Sequence, residues 1–153
     1  MHVLMVRVRG ESFGIPTSEV IEVIRAVAVK PLPGAPTVIS GVINVRGEIV
    51  VVMDPAVRFG HPETPVSPDD NFVLTRAGRR TLAIRVEAAD DLTKIDDDSL
   101  TGAKAASPTL EKLHGVATMP DGPLVIYDVA AFLTQAEDEA ISEALATASA
   151  TTA

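Results

Sequence analysis

The 153-residue chain contains no cysteine, which excludes disulfide bonds, thiolate nucleophiles and cysteine-ligated metals. Tryptophan is also absent and aromatic residues make up only 3% of the chain, so the core has to be built from Val, Ile, Leu and Ala. Because many of these residues are β-branched, the composition favours strands over helices.

Positive charge is scarce, since 13 Lys and Arg face 21 Asp and Glu, for a formal net charge of −8. The densest basic group is Arg76, Arg79 and Arg80, which is too small for the basic face that nucleic-acid binding needs. No apolar run approaches the ~20 residues that span a bilayer, and the N-terminus lacks the apolar core of a signal peptide. We therefore expect a cytoplasmic protein that binds no nucleic acid and is not inserted in a membrane.

Short runs with strand patterns, separated by Gly- and Pro-rich turns, cover most of the chain. Apolar residues recur at helical spacing after Asp128, which predicts one closing helix over 129–146 with Asp128 as N-cap, then a frayed tail over 147–153. Residues 87–112 are weakly patterned and predict a long loop with a short strand near 92–95. The fold class is therefore all-β, a barrel or a sandwich, with one C-terminal helix. The predicted strands lie at 2–9, 12–15, 19–29, 38–53 (two strands around a turn at 46–48), 72–76, 81–86 and 124–127.

An internal repeat relates two halves of the chain. GVINVRGEIVVVMD at 41–54 and GVATMPDGPLVIYD at 115–128 share four identities at a constant offset of 74. A fainter echo relates FGIPTSEVIEV at 13–23 to LAIRVEAADDL at 82–92. Because the two echoes occur in the same order, they predict two related β-subdomains that are each too small to be stable alone.

Asn44 and Arg46 interrupt an otherwise apolar stretch of the first copy. The second copy has Thr118 and Pro120 at the corresponding positions. A fold requirement for an amide and a guanidinium would have kept similar residues in both copies, so the pair indicates a role specific to the first subdomain. A purely structural role also stays open, with Arg46 paired to an acidic neighbour and Asn44 capping a turn.

No set of residues forms a convincing catalytic or metal site. The GESFG stretch at 10–14 matches the nucleophile motif G-x-S-x-G, but Pro16 and the β-branched residues beyond it argue against the helix that must follow Ser12. The three histidines lack ligand spacing, and the acidic run at 96–98 lacks the Gly and Glu of a calcium loop. We predict no enzyme activity, no cofactor and no metal, and favour a binding module.

The chain resembles the CheW-like coupling proteins of bacterial chemotaxis, from about Val3 to about Leu145. The resemblance rests on a succession of motifs in the order of the family: ESFGIP (11–16), V-x-E-V (20–23), LPGAP (32–36), GVINVRG (41–47), VVVMD (50–54), the hairpin at 72–86, and LVIYDV (124–129) before a C-terminal helix. It implies a single domain over 1–146, built from two intertwined five-stranded, SH3-like β-barrel subdomains. These would cover roughly 13–70 and 71–128, with the N-terminal strand added and the helix closing the fold.

The resemblance also implies a function. Proteins of this family are non-catalytic adaptors that bridge the cytoplasmic signalling tips of chemoreceptors to the regulatory domain of the CheA histidine kinase. The chain would then be cytoplasmic and peripheral to the inner membrane through receptor arrays. The residues that match the family's receptor-facing surface are Val20, Glu22, Gly41, Asn44, Arg46 and Gly47. Arg46 is expected to pair with Glu22.

Two other functions stay open. One is a CheW-like role in another two-component or motility system, with an altered receptor contact. A small serine hydrolase that uses Ser12 is the remote alternative. Residues 87–112 match the family least, so the resemblance assigns no kinase-facing residues.

Overall fold

The computed structural model describes residues 1–102 and 113–151, which form eleven strands and two α-helices. They confirm the predicted class, mainly β with one long C-terminal helix. The strands are β1 His2–Val8, β2 Glu11–Pro16, β3 Val20–Arg25, β4 Ile39–Val45, β5 Glu48–Met53, β6 Asn71–Ala77, β7 Arg80–Val86, β8 Ala88–Lys94, β9 Leu100–Gly102, β10 Leu113–Met119 and β11 Gly122–Tyr127. The helices are α1 Pro55–Arg58 and α2 Gln135–Thr151, and 3-10 turns lie at Thr17–Glu19, Asp97–Ser99 and Val129–Phe132.

The described strands form two sheets that exchange strands along the chain. One sheet has the order β8-β1-β2-β11-β10-β9 and the other β3-β6-β7-β5-β4. The neighbours β2 and β11, and likewise β5 and β7, run parallel, whereas the remaining pairs are antiparallel. The predicted subdomain ranges 13–70 and 71–128 therefore do not coincide with the sheets, because β6 and β7 complete the sheet of β3, β4 and β5.

The strand registers repeat with the offsets that the sequence shows. Val52 lies opposite Ala83 in one parallel pair, and Ile126 lies opposite Gly14 in the other. Residue 126 follows 52 by 74 positions, and 83 follows 14 by 69. β1 is likewise the counterpart of β6, since Val3 faces Pro16 as Phe72 faces Arg85, 69 positions later. The internal repeat is thus a repeat of structure, and it includes the N-terminal strand that the sequence echoes had left outside.

Three apolar clusters follow from this arrangement. The largest lies between the sheets and includes Leu4, Ile15 and Met53. Each sheet also encloses a smaller cluster on its other face, so several strands are buried on both faces, which explains the unbroken apolar run of β5. The two small clusters correspond by the offsets of 69 and 74, with Phe72, Leu74, Val50, Val52 and Ile43 in one, and Val3, Met5, Leu124, Ile126 and Ala117 in the other.

The edge strands β3 and β4 of the five-stranded sheet approach each other. Beyond the end of β3, Lys30 N donates to Val42 O at 2.9 Å and Val42 N donates to Lys30 O at 2.8 Å. Gly41 makes this approach possible, since its φ is +150° and a Cβ there would lie 2.1 Å from Lys30 O. The sheet thereby closes toward a barrel, as the resemblance implies.

Two predicted elements were wrong in their bounds. Most of 87–102 is ordered structure rather than a loop, because β8 pairs with β1 over its length and β9 pairs with β10. β8 has the sequence AADDLTK, and its polar residues hid a strand that, among the described strands, lies at the edge of the sheet beside β1. The rest of the predicted loop, 103–112, lies outside the described residues. Strand β3 ends at Arg25 rather than at 29, where the chain turns away to reach Lys30.

The C-terminal helix begins later and ends later than predicted. Residues Val129–Phe132 form a 3-10 turn, and α2 runs over Gln135–Thr151, into the predicted tail. Thr134 starts the helix in place of Asp128, because Glu137 N donates to Thr134 Oγ1 at 3.1 Å and Thr134 N donates to Glu137 Oε1 at 2.8 Å. This reciprocal pair is a capping box, which fixes a helix start.

Candidate functional site

A tight turn between β4 and β5 carries the predicted site. Arg46 and Gly47 have φ values of 51° and 86°, as in the type I′ turns that join two-residue hairpins. The same four residues, VRGE, occur at 8–11, where Arg9 and Gly10 have φ values of 52° and 79°. This identity, not noted above, indicates that the tetrapeptide itself favours the turn.

Asn44 holds the turn in shape. Its Oδ1 accepts a hydrogen bond from Gly47 N at 2.8 Å. In the other VRGE turn, the equivalent Gly10 N donates to Glu87 Oε1 at 3.2 Å, so a side-chain oxygen from elsewhere satisfies the same group. Asn44 therefore caps the turn, which is one of the two roles that the sequence left open. The cap holds the backbone at Arg46, two residues further along the chain.

Arg46 and Glu22 form the predicted ion pair, in bidentate geometry. Arg46 Nη1 lies 2.6 Å from Glu22 Oε1, and Arg46 Nη2 lies 2.9 Å from Glu22 Oε2. The pair spans the gap between β3 and β4, and 73% of the Arg46 side chain stays exposed. The hydrogen bonds from Arg46 lower the pKa of the Glu22 carboxyl below its ordinary 4.5. Both charges are thus held in one orientation at the surface.

The structure separates the six predicted site residues into three groups. Glu22, Arg46 and the turn residues Asn44 and Gly47 lie together at the surface. Val20 is half-buried and packs against the main core. Gly41 is buried, and Lys30 lies close to its backbone. Gly41 therefore allows β3 and β4 to approach each other but exposes no surface that a partner could contact.

An apolar groove adjoins Glu22. Its volume is about 530 Å³, and most of its lining is apolar. Leu92, which is 72% exposed, and Val23, which is 38% exposed, are its most exposed apolar residues. The groove joins strands from both halves of the chain, so neither strand pattern alone indicated it. Its lining is His2, Leu4, Thr17, Val20, Glu22, Val23, Ala89 and Leu92.

The second half of the chain has a carboxylate at the position of Glu22 but no guanidinium at the position of Arg46. Glu22 lies opposite Leu74, and Asp91 lies opposite Met5, so the two carboxylates occupy equivalent positions 69 residues apart. The turn equivalent to Arg46-Gly47 is Pro120-Asp121, which offers no guanidinium to Asp91. The paired charges are therefore specific to the first half, as the comparison of the two sequence copies predicted.

Ser12 does not occupy a nucleophile elbow. It lies within β2, which continues to Pro16 and is followed by a three-residue 3-10 turn, not by an α-helix. Ser12 pairs with Arg7 across the β1–β2 hairpin. The strand–turn–helix geometry that G-x-S-x-G requires is thus missing at this position.

Comparison with known proteins places the chain in one family. The model of the CheW-like domain matches residues 2–137 of this chain. The chain belongs to the CheW-like family. CheW-like proteins are chemotaxis adaptors and scaffolds without catalytic activity, so the predicted absence of an enzyme function agrees with the family.

Individual CheW-like relatives cover most of the chain. Protein FrzA of Myxococcus xanthus is 44% identical over 111 residues, which are 72% of this chain and 69% of the relative. The chemotaxis protein CheW of Klebsiella aerogenes is 29% identical over 132 residues, 84% of this chain and 78% of the relative. The crystal structure of the scaffolding protein TtCheW from Thermoanaerobacter tengcongensis superposes with a TM-score of 0.77 at 24% identity, covering 88% of this chain and 93% of that one. This last likeness establishes the CheW fold of the chain.

Neither helix of the described residues is long and apolar enough to cross a membrane.

Proposed function

We propose that this CheW-like protein couples the cytoplasmic signalling tips of chemoreceptors to the regulatory domain of a CheA-type histidine kinase. It would act in the cytoplasm, where its binding to receptor arrays would hold it near the inner membrane. The observation that carries the proposal is the exposed Arg46–Glu22 pair, held by a capped turn on the rim of an apolar groove.

The groove suits a helical partner. Receptor tips are helical bundles, and an amphipathic helix binds by laying its apolar face in an apolar groove. Leu92 and Val23 supply exposed apolar area, while Glu22 places a charge at the rim. A polar rim around an apolar centre is the ordinary anatomy of a protein interface.

Preorganisation gives the charged pair its role. Arg46 is fixed at its backbone by the capped turn and at its guanidinium by two hydrogen bonds to Glu22. A side chain that is already ordered loses less conformational entropy on binding, so affinity rises without new contacts. The guanidinium has five N–H donors, and Glu22 engages only part of them, which leaves donors for a partner.

Of the predicted receptor-binding residues, Glu22 and Arg46 would contact the partner directly, and Asn44 and Gly47 would position Arg46. Val20 would form part of the groove wall. Gly41 would contribute only by letting β3 and β4 approach each other.

Binding measurements with the two partners separately test this function. The purified chain is titrated with a receptor signalling-tip fragment and, in a separate experiment, with a CheA-type regulatory domain. Both titrations are repeated with the Arg46→Glu variant. We expect the wild-type chain to bind both partners and the variant to lose only the receptor fragment. Failure of the wild type to bind either partner would end the coupling proposal while leaving the family assignment intact.

A second candidate is an adaptor role in a CheW-like system other than chemotaxis. It is favoured by the identity of 44% with FrzA, a relative that is not named as a chemotaxis protein, against 29% for the CheW of Klebsiella aerogenes. The genes beside this one discriminate between the candidates. Receptor and CheA genes alongside support chemotaxis coupling, and their absence supports the second candidate.

A further inference from the structure

The two halves of the chain complete each other's sheets. The first half holds β1 to β5 and the second holds β6 to β11. In the described residues, four strand pairings join the halves: β1 with β8, β2 with β11, β3 with β6, and β5 with β7. Neither half has a complete sheet without the other, yet one covalent connection, the loop at 60–70, links them.

The same four pairings can be made between two chains. If the loop opens, the first half of one chain can pair with the second half of another, and every ladder is restored with its register unchanged. Such strand exchange loses no side-chain contact outside the loop. The equilibrium between the monomer and the exchanged dimer therefore depends on the loop and on protein concentration.

Two arginines hold the loop closed. Arg9, in the first half, donates to Pro62 O at 3.1 Å and to Thr64 Oγ1 at 3.0 Å. Arg85, in the second half, donates to Thr64 O at 2.7 Å, to Thr64 Oγ1 at 3.2 Å and to Pro65 O at 2.8 Å. The loop is therefore gripped from both halves at Thr64.

The other contacts of Arg85 do not depend on the loop staying closed. Its Nε donates to Asp70 Oδ2 at 2.9 Å and its Nη1 to Asp54 Oδ2 at 3.3 Å. Asp70 directly precedes β6 in the same half, and Asp54 directly follows β5, which stays the neighbour of β7 in either arrangement. When the loop extends, the bonds from Arg9 and Arg85 to residues 62–65 are lost. The loop's own contacts change with them, among them the bond from Ser67 N to Asp70 Oδ2 at 2.9 Å and the packing of Val66 against the smaller cluster of the five-stranded sheet.

We propose that a second copy of this chain is a binding partner, through exchange of halves across the 60–70 loop, and that the Arg9–Thr64–Arg85 grip holds the chain as a monomer. The exchanged dimer has two complete double-sheet units. Glu22 and Arg46 both belong to the first half, so their pair persists. Each groove then takes Val20 and Val23 from one chain and Ala89 and Leu92 from the other, which makes the dimer bivalent.

The chain's lack of cysteine allows a direct test. His2 and Lys94 are exposed and lie opposite each other in the β1–β8 pairing, far from the loop in sequence. The His2→Cys/Lys94→Cys chain is unfolded and refolded at low and at high concentration, separated by size, and treated with a short bis-thiol crosslinker. In an exchanged dimer the crosslink joins two chains, and in a monomer or an ordinary dimer it closes within one chain.

The grip is tested in the same background with Arg9→Ala/Thr64→Ala, which removes exposed groups only. Arg7→Ala is the matched control, an exposed arginine two residues away on β1. We expect a several-fold larger dimer fraction after refolding at high concentration for the grip variant than for the control, with crosslinks between chains. A dimer fraction equal to that of the control, or dimers crosslinked within each chain, would overturn the proposal. Neither result bears on receptor binding, so the two proposals fail separately.

Discussion

Arg46 and Glu22 are 24 residues apart in sequence and belong to opposite edges of the five-stranded sheet, yet their charged groups meet through two hydrogen bonds. The contact forms because β3 and β4, at the two ends of the strand order, curve toward each other and are joined by Lys30 and Val42. The ion pair thus bridges the gap between these two edge strands. Its geometry follows from the closure of the sheet, and its exposure makes it available to a partner.

Asn44→Ala removes the turn cap, and we expect a loss of about 1 kcal/mol in the free energy of unfolding, because one side-chain hydrogen bond is lost. Affinity for the receptor fragment should also fall, because Arg46 has a φ of 51° that the capped turn helps to hold. Chemical unfolding and calorimetric titration measure the two effects.

Asn44→Asp is the control for the cap, since it keeps an oxygen for Gly47 N. It should recover most of the stability and the affinity. If Asn44→Ala weakens neither property, the turn does not depend on its cap.

Gly41→Ala should be strongly destabilising, by of order 3 kcal/mol or more, because its Cβ would lie 2.1 Å from Lys30 O in a backbone that L residues rarely adopt. Gly60→Ala is the matched control, since its φ is +94° but a Cβ there meets nothing within 4 Å. The control should cost about 1–2 kcal/mol, which is the backbone strain alone. Equal losses in the two variants would contradict the close approach of β3 and β4.

Tyr127 provides a pH titration that reports on the fold. Burial raises the pKa of its phenol above 10.0, and the negative charge of Glu11 raises it further. The ring packs against Phe13, Phe59 and Phe132 with centroid distances of 5.4, 5.6 and 5.6 Å. Because the chain has one tyrosine and no tryptophan, tyrosinate absorbance follows this residue alone.

We expect the titration midpoint of Tyr127 to lie above 10.0 in the folded chain and to return close to that value in denaturant. Since the folded pKa is the higher one, the stabilisation is present at neutral pH and is lost as pH rises through the folded pKa. Glu11→Gln should lower the midpoint only in part, because burial is the larger cause. A folded midpoint at or below the denatured one would contradict the packing of Tyr127.

Arg85→Met leaves Asp54 and Asp70 buried without their cation, since these side chains are 6% and 9% exposed. We expect a loss of about 3–5 kcal/mol in the free energy of unfolding. Adding Asp54→Asn and Asp70→Asn should recover most of the loss, because the uncompensated charges are then gone. A loss under about 1 kcal/mol for Arg85→Met alone would show that the network contributes little.

Most strands could be predicted from the sequence because turn residues separate runs of β-branched residues, as Arg46-Gly47 does directly before β5. It failed for β8, whose exposed Asp91 is tolerated at the edge of a sheet, and for the start of α2, where Thr134 and Glu137 form a capping box within an apolar periodicity that begins earlier. In both places a tertiary neighbour or a local hydrogen bond outweighed the hydrophobic pattern.

The candidate site was predicted only in part. The pairing of Arg46 with Glu22 came from the resemblance to CheW-like proteins, because no spacing rule connects residues of β3 with a turn after β4. The role of Gly41 depends on Lys30 O, and the groove depends on Leu92 from the other half of the chain. Such long-range approaches are set by the topology, which the local pattern does not contain.

The central claim is that the guanidinium of Arg46 itself contacts the receptor tip. The most direct measurement is the affinity of the receptor fragment for the wild type, for Arg46→Glu, and for the charge-exchanged Arg46→Glu/Glu22→Arg, with thermal unfolding of each. The exchanged variant restores an opposite-charge pair across β3 and β4, so its stability should match the wild type. We predict that its affinity nevertheless stays at least about tenfold weaker, a loss of about 1.4 kcal/mol. Recovery of wild-type affinity in the exchanged variant would contradict the claim and reduce the pair to a brace between the two strands.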